Sequence, residues 1–95
     1  MNKALNKEVP EMLVQTWITL ALNIESVDEV KIRALSMLQE VIGTSYEKRA
    51  IEIFIALARN KKSSKKVKDK AFQSITNSVG SVEEIVSFMK RHNIQ

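Results

Sequence analysis

The chain has 95 residues and a net charge of +4, enough for one domain burying about 60–65% of the surface its unfolded chain exposes, so a core needs neither metal nor disulfide. The lack of cysteine excludes thiol catalysis, thiolate metal sites and disulfides, and a lone histidine, His92, argues against a histidine metal cluster or an acid–base dyad. The positive charge is local: residues 59–70 hold seven basic side chains against Asp69 alone, residues 1–58 hold six basic and eight acidic ones, and residues 71–95 hold two of each.

The amino terminus, MNKALNKEVPE, has no long apolar stretch before a small-residue cleavage site, so no secretory signal is expected and residues 1–8 read as a flexible tail. The longest uncharged run, residues 12–24, is thirteen residues, well short of the ~20 that span a bilayer. A soluble, cytoplasmic protein without a membrane partner is expected, folded as a single helical domain over residues 1–95.

Two glycines and one proline leave little for strand turns, and the punctuation is helical. The first helix is predicted over residues 10–24, with Pro10 at its first position because its missing N–H would be unpaired there anyway. Gln15, Thr16, Thr19 and Asn23 fall within one narrow arc and the rest is apolar, so this helix should be buried on more than one side or should keep part of its surface for a partner. The second helix, residues 27–42, turns Val30, Ala34, Leu38 and Val41 inward, flanked by Val27, Leu35, Met37 and Ile42. The third, residues 46–59, does the same with Tyr46, Ala50, Ile53, Phe54, Leu57 and Ala58. A fourth helix begins near Lys65 or Lys66 and runs to Val79, with Val67, Ala71, Phe72, Ile75 and Val79 inward. A fifth, from Val82 to about His92, ends in Lys90, Arg91 and His92, cations suited to a carboxyl end. Capping-box patterns at residues 26–29, 44–47 and 81–84 mark helix starts, and Gly43, Gly80 and, more weakly, Asn60 mark stops.

Laying the second helix on the fourth shows an internal repeat at an offset of 37 residues. Residues 30–44 and 67–81 both read Val, Lys, any, basic, Ala, large apolar, and both close on an apolar residue, Gly and a hydroxyl. A helical hairpin at such a period is the unit of an α-solenoid. Residues 26–43, SVDEVKIRALSMLQEVIG, resemble the second helix of a HEAT-type repeat, and residues 67–72 are a poorer copy. That resemblance implies an interaction scaffold, although two units are fewer than the ~3 a solenoid normally needs. The expected fold is therefore all-α, a compact five-helix bundle built as two HEAT-like hairpins behind an apolar amino-terminal helix. In size, helical make-up and a Lys- and Ile-rich, cysteine-free character the chain is also similar to the small accessory subunits of the family B replicative DNA polymerase of crenarchaea.

The chemistry concentrates in the connector, where Arg59, Lys61, Lys62, Lys65, Lys66, Lys68 and Lys70 surround the start of a helix. Side chains and outward-pointing amides there favour phosphate or an acidic protein surface. Cations at a helix amino end oppose its dipole, which invites a functional reason; the alternative is a solvated, flexible loop. Short basic runs also occur as nuclear-import signals, and helical pairs as helix-turn-helix motifs, but no arginine-rich recognition helix and no interleaved aromatic accompanies this one. Glu25, Asp28 and Glu29, like Glu83 and Glu84, sit where carboxylates complement a helix dipole, so capping explains them better than acid–base catalysis.

The expected function is that of a non-catalytic accessory or adaptor subunit, with no cofactor and no metal. It would dock on a larger protein, such as a DNA polymerase, through Met12, Leu13, Trp17 and Leu20, with Trp17 the anchor if exposed, while the lysines attract DNA or an acidic partner. A sequence-independent nucleic-acid binder and a self-associating protein, a homodimer included, remain open beside it.

Overall fold

Each predicted helix forms, and its ends are set by local bonds. The computed structural model describes residues 10–80 and 82–91 and contains α1 (Glu11–Leu22), α2 (Asp28–Gln39), α3 (Glu47–Arg59), α4 (Lys65–Val79) and α5 (Val82–Arg91). Among the described residues there is no strand, and the fold is the expected all-α, five-helix bundle. The tail at residues 1–8, the cap at Ser81 and the cation at His92 lie outside the described residues.

The boundaries correct several predictions. Pro10 is the residue before α1, not its first member: its ψ of 133° is extended, and its carbonyl accepts the Leu13 and Val14 N–H groups. Val27 precedes α2 and makes no side-chain cap, so Ser26 does not cap this helix. Residues 40–42 donate three residues back, to Met37, Leu38 and Gln39, which tightens the chain out of the α-helix before Gly43. Thr44 does not cap α3 either. Its Oγ1 donates to the Val41 carbonyl (2.6 Å) and accepts from the Tyr46 N–H (3.1 Å), while Glu47 Oε1 accepts from the Gly43 N–H (2.8 Å). The boxed residues thus staple the α2–α3 corner instead of a helix start.

The 37-residue offset extends beyond the second and fourth helices. Asn23 ends α1 at φ −72°, ψ 121°, and Asn60 ends α3 at −72°, 116°. Asn23 Oδ1 accepts from the Glu25 N–H and Asn60 Oδ1 from the Lys62 N–H, both at 2.9 Å. The two asparagine carbonyls accept from Ser26 and Ser63, both at 3.0 Å. Val27 and Ser64 follow with nearly equal extended dihedrals. Gly43 and Gly80 close the units at φ 94° and 118°, positive values that cost a non-glycine residue about 1–3 kcal/mol; with ψ −123°, Gly80 is not the left-handed stop expected. Asn60 is therefore a helix stop of a different kind from the left-handed one expected, a side-chain-bonded Asx turn.

These turns fold α1 back on α2 and α3 back on α4, and the hairpins are these two pairs. The expected hairpins pair the second helix with the third and the fourth with the fifth, behind an apolar first helix; here α2 and α3 scarcely pack on each other. Two layers result, α1 with α3 and α2 with α4, in a slab 16 Å thick, close to two helix layers. Gln39 Nε2 donates to Ser74 Oγ (3.0 Å), Asn77 Nδ2 donates to Gln39 Oε1 (3.1 Å), and Ser74 Oγ in turn donates to the Lys70 carbonyl (2.9 Å). Together with Ile32 lying across from Lys66 and Lys70, these contacts align α2 and α4 in parallel.

The core runs along both layers: Ala34, Leu35, Leu38, Phe54, Ala71 and Ile75 are fully buried. Small Ala34 and Ala71, equivalent in the repeat, let the helices approach. Ser74 is the buried polar residue, tolerable because its hydroxyl is bonded on both sides. The first helix buries Val14, Ile18 and Ala21 but leaves Met12 80% and Leu13 42% exposed, so it is an outer helix and not a central one. The inward stripe predicted for the second helix is likewise trimmed: Val27 is 60% exposed, and Val30, Met37 and Ile42 are half-buried. Phe72 and Val79 of α4 are also half-buried. Finally, α5 packs on α4 and adds Phe88 to the core.

Candidate functional site

Parallel alignment of α2 and α4 puts their amino ends, and with them the two turns, on one edge of the slab. On this edge lie the exposed Ile24 and Val27 of the first turn and the exposed Lys61, Lys62, Lys65 and Lys66 of the second, with Arg59 exposed beside them. Lys68 and Lys70 are half-buried along the flanks of α4. All seven predicted basic residues thus gather around one helix start, five of them exposed and two leaning along its sides.

The connector is a built turn, not a slack loop. Besides the Asn60 bond, Ser63 Oγ donates back to the Leu57 carbonyl (2.9 Å), and Ser64 Oγ accepts from the Val67 N–H (3.2 Å). Sequence reasoning missed both serines, although the pattern Asn-x-x-Ser-Ser ahead of an apolar-periodic run carried the signal. Ser64 is the cap of α4, and it serves where a carboxylate would ordinarily sit: the first turn of α4 has no acid. The lysines are consequently displayed from fixed backbone positions.

Among the described residues little neutralises them. Lys65 Nζ pairs with Asp69 Oδ2 at 3.0 Å in an exposed i, i+4 bridge, in the less favourable order with the cation nearer the amino end. Lys70 Nζ reaches Gln73 Oε1 at 3.5 Å. Between α2 and α4 an open groove is lined by Ile32, Lys66, Asp69, Lys70 and Gln73. Its lysines can hold an anionic group against the amino end of α4, where side chains and dipole act in the same direction.

The predicted docking residues divide. Met12 and Leu13 are exposed, Leu20 is half-buried, and Trp17 is half-buried with its ring packed on the core. Its Nε1 is covered and has no partner. An open concavity runs along α1 between Met12, Gln15, Thr16, Thr19 and Leu20. This face of α1 and the basic edge are separate surfaces. Among the described residues no cluster of three or more His, Asp or Glu could hold a metal ion, and no helix is long and apolar enough to cross a membrane. Comparison with protein-family models, with curated proteins and with solved structures gave no match.

Proposed function

We propose that this chain is a non-catalytic accessory subunit that joins a larger protein in a DNA-processing assembly, of which a replicative polymerase is an example, and brings it a basic edge. The observation that carries the reading is the bonded turn at residues 60–64, which presents Lys61, Lys62, Lys65 and Lys66 from fixed positions with one counter-charge, Asp69, paired to them among the described residues. Lysine meets phosphate as a point charge, so the edge positions a nucleic-acid backbone without reading its sequence. No aromatic face accompanies it: Phe54 and Phe88 are buried and Trp17, Tyr46 and Phe72 are packed on the core. Two stacked helical hairpins support the reading of a HEAT-like scaffold, and the apolar face of α1 is the surface for protein contact.

The test is a tagged pull-down from native lysate with and without nuclease, joined to a duplex titration over salt. A stoichiometric protein partner that survives nuclease, with a salt slope of about −0.9 per phosphate contacted, is the expected result. Proteins that vanish with nuclease would make the edge a direct, sequence-independent nucleic-acid binder. A salt slope near zero would remove nucleic acid from the reading altogether.

A further inference from the structure

The internal repeat places the same face in two settings. In the second unit, Ala50, Ile53 and Leu57 of α3 and Val67 and Ser74 of α4 are at most 5% exposed. They are covered because this side is turned toward the first unit, and the Gln39–Ser74 bond crosses the junction. Their equivalents 37 residues earlier are Leu13, Thr16, Leu20, Val30 and Met37. Here Leu13 and Thr16 are exposed and Leu20, Val30 and Met37 are half-buried. The first unit therefore carries, uncovered, the face that the second unit buries.

The opposite side has the converse arrangement. Ile18 and Leu35, which lie beneath the second unit, are 3% and 0% exposed. Their equivalents Ile55 and Phe72 are half-buried. Glu47 bonds to the amide four residues before it, at Gly43, and the Glu84 carboxylate lies close to Gly80, four residues before it. This places α5 in the sequence position of a third unit's first helix, yet it packs on α4 and, among the described residues, does not reach α3. The α3 side of this back face stays open.

We propose that the front face of the first unit takes what α5 leaves open of the back face of the second unit of another copy, so that the chain associates head to tail. The proposal rests on reading the α1 face as a protein-contact surface, on which another copy competes with the larger protein. Charge follows the same direction. Residues 11–43 carry five acidic and two basic side chains, and residues 47–80 carry nine basic and three acidic ones. Each contact between copies sets an acidic unit against a basic one, as the internal contact does. Such an interface is heterologous, and it extends into a stack unless its rotation closes a ring.

Sedimentation of the full chain across a concentration series tests this. Mass should climb above that of a single chain as concentration rises. It should fall back between about 0.1 M and about 1 M salt, as the screening length shrinks from about 10 Å to about 3 Å. Leu20→Asp removes the front face and Ile55→Asp the back; each variant alone should stay monomeric. Mixed, they should form a 1:1 heterodimer, because each keeps the face the other lacks. Circular dichroism checks that both fold, and the pair Leu13→Glu and Thr76→Glu, at exposed positions, repeats the test if either does not. Single-chain mass at every concentration overturns the proposal. So does a dimer that Leu20→Asp breaks and Ile55→Asp leaves intact, which would be a front-to-front contact. A monomer that keeps its salt-dependent duplex binding would overturn the stacking alone and leave the basic edge standing.

Discussion

The turns at residues 23–27 and 60–64 have nearly the same dihedrals and the same two asparagine bonds, but one is followed by Asp28 and Glu29 and the other by Lys65 and Lys66. Ile24 and Glu25 of the first stand where the second has Lys61 and Lys62. A carboxylate in the first turn of a helix contributes about 0.3–1 kcal/mol, and a cation there opposes the dipole. The first turn is what folding alone favours, and the second gives that up. Ser64 offsets part of the loss by supplying a neutral cap that Val27 cannot. A stabilised turn bearing destabilising charges separates the demands of the fold from those of the surface, and the lysines belong to the surface.

Exchanging the side chains between the turns tests that separation most strongly. Lys61→Ile, Lys62→Glu, Lys65→Asp and Lys66→Glu together should leave helix content unchanged and remove about 3–4 units from the slope of log affinity against log salt for duplex DNA, at ~0.9 per lost phosphate contact. An unchanged slope would show that the second turn touches no phosphate. The reverse exchange, Asp28→Lys with Glu29→Lys, should add up to about 2 units. Next in size are the unit stops. Gly43→Ala should lower stability by about 1–3 kcal/mol in denaturant melts, since it needs positive φ, and Gly80→Ala should cost more, because a Cβ there also meets the Glu84 carboxylate, which has to move. Ser64→Ala should cost about 1 kcal/mol, while Val27→Ser, which gives the first turn the cap it lacks, should add a similar amount. The smallest change is Lys66→Glu alone, which should raise the denaturant midpoint by the equivalent of about 0.3–1 kcal/mol.

The five helices and most of their inward residues were legible in the sequence, because apolar periodicity and glycine stops act within a few residues. All seven basic site residues were legible too, since a charge run needs no fold to be seen. The turn that holds them was not. Asn60 read as a left-handed stop because asparagine tolerates that conformation, whereas its side chain instead accepts from Lys62 and leaves the backbone extended. The capping boxes at Ser26 and Thr44 failed for a related reason. The helix starts one or two residues later in each case, and at Thr44 the hydroxyl and Glu47 are drawn to the α2–α3 corner. Trp17 read as the anchor if exposed, and exposure is set by tertiary packing: the structure leaves it half-buried with its ring on the core.

By itself the sequence determined an all-helical chain, the 37-residue repeat and a lone basic segment, because each is written in local spacing and composition. Tertiary structure decided which helices pair, since Asn23 and Asn60 make tight reversals while the α2–α3 corner does not. It also decided that α2 and α4 run in parallel, through the contact of Gln39 with Ser74 and Asn77. Only that alignment brings the acidic and basic turns to one edge and leaves one face of α1 uncovered. Pairing and exposure depend on complementary surfaces more than thirty residues apart, whose contact the apolar spacing within each helix does not specify.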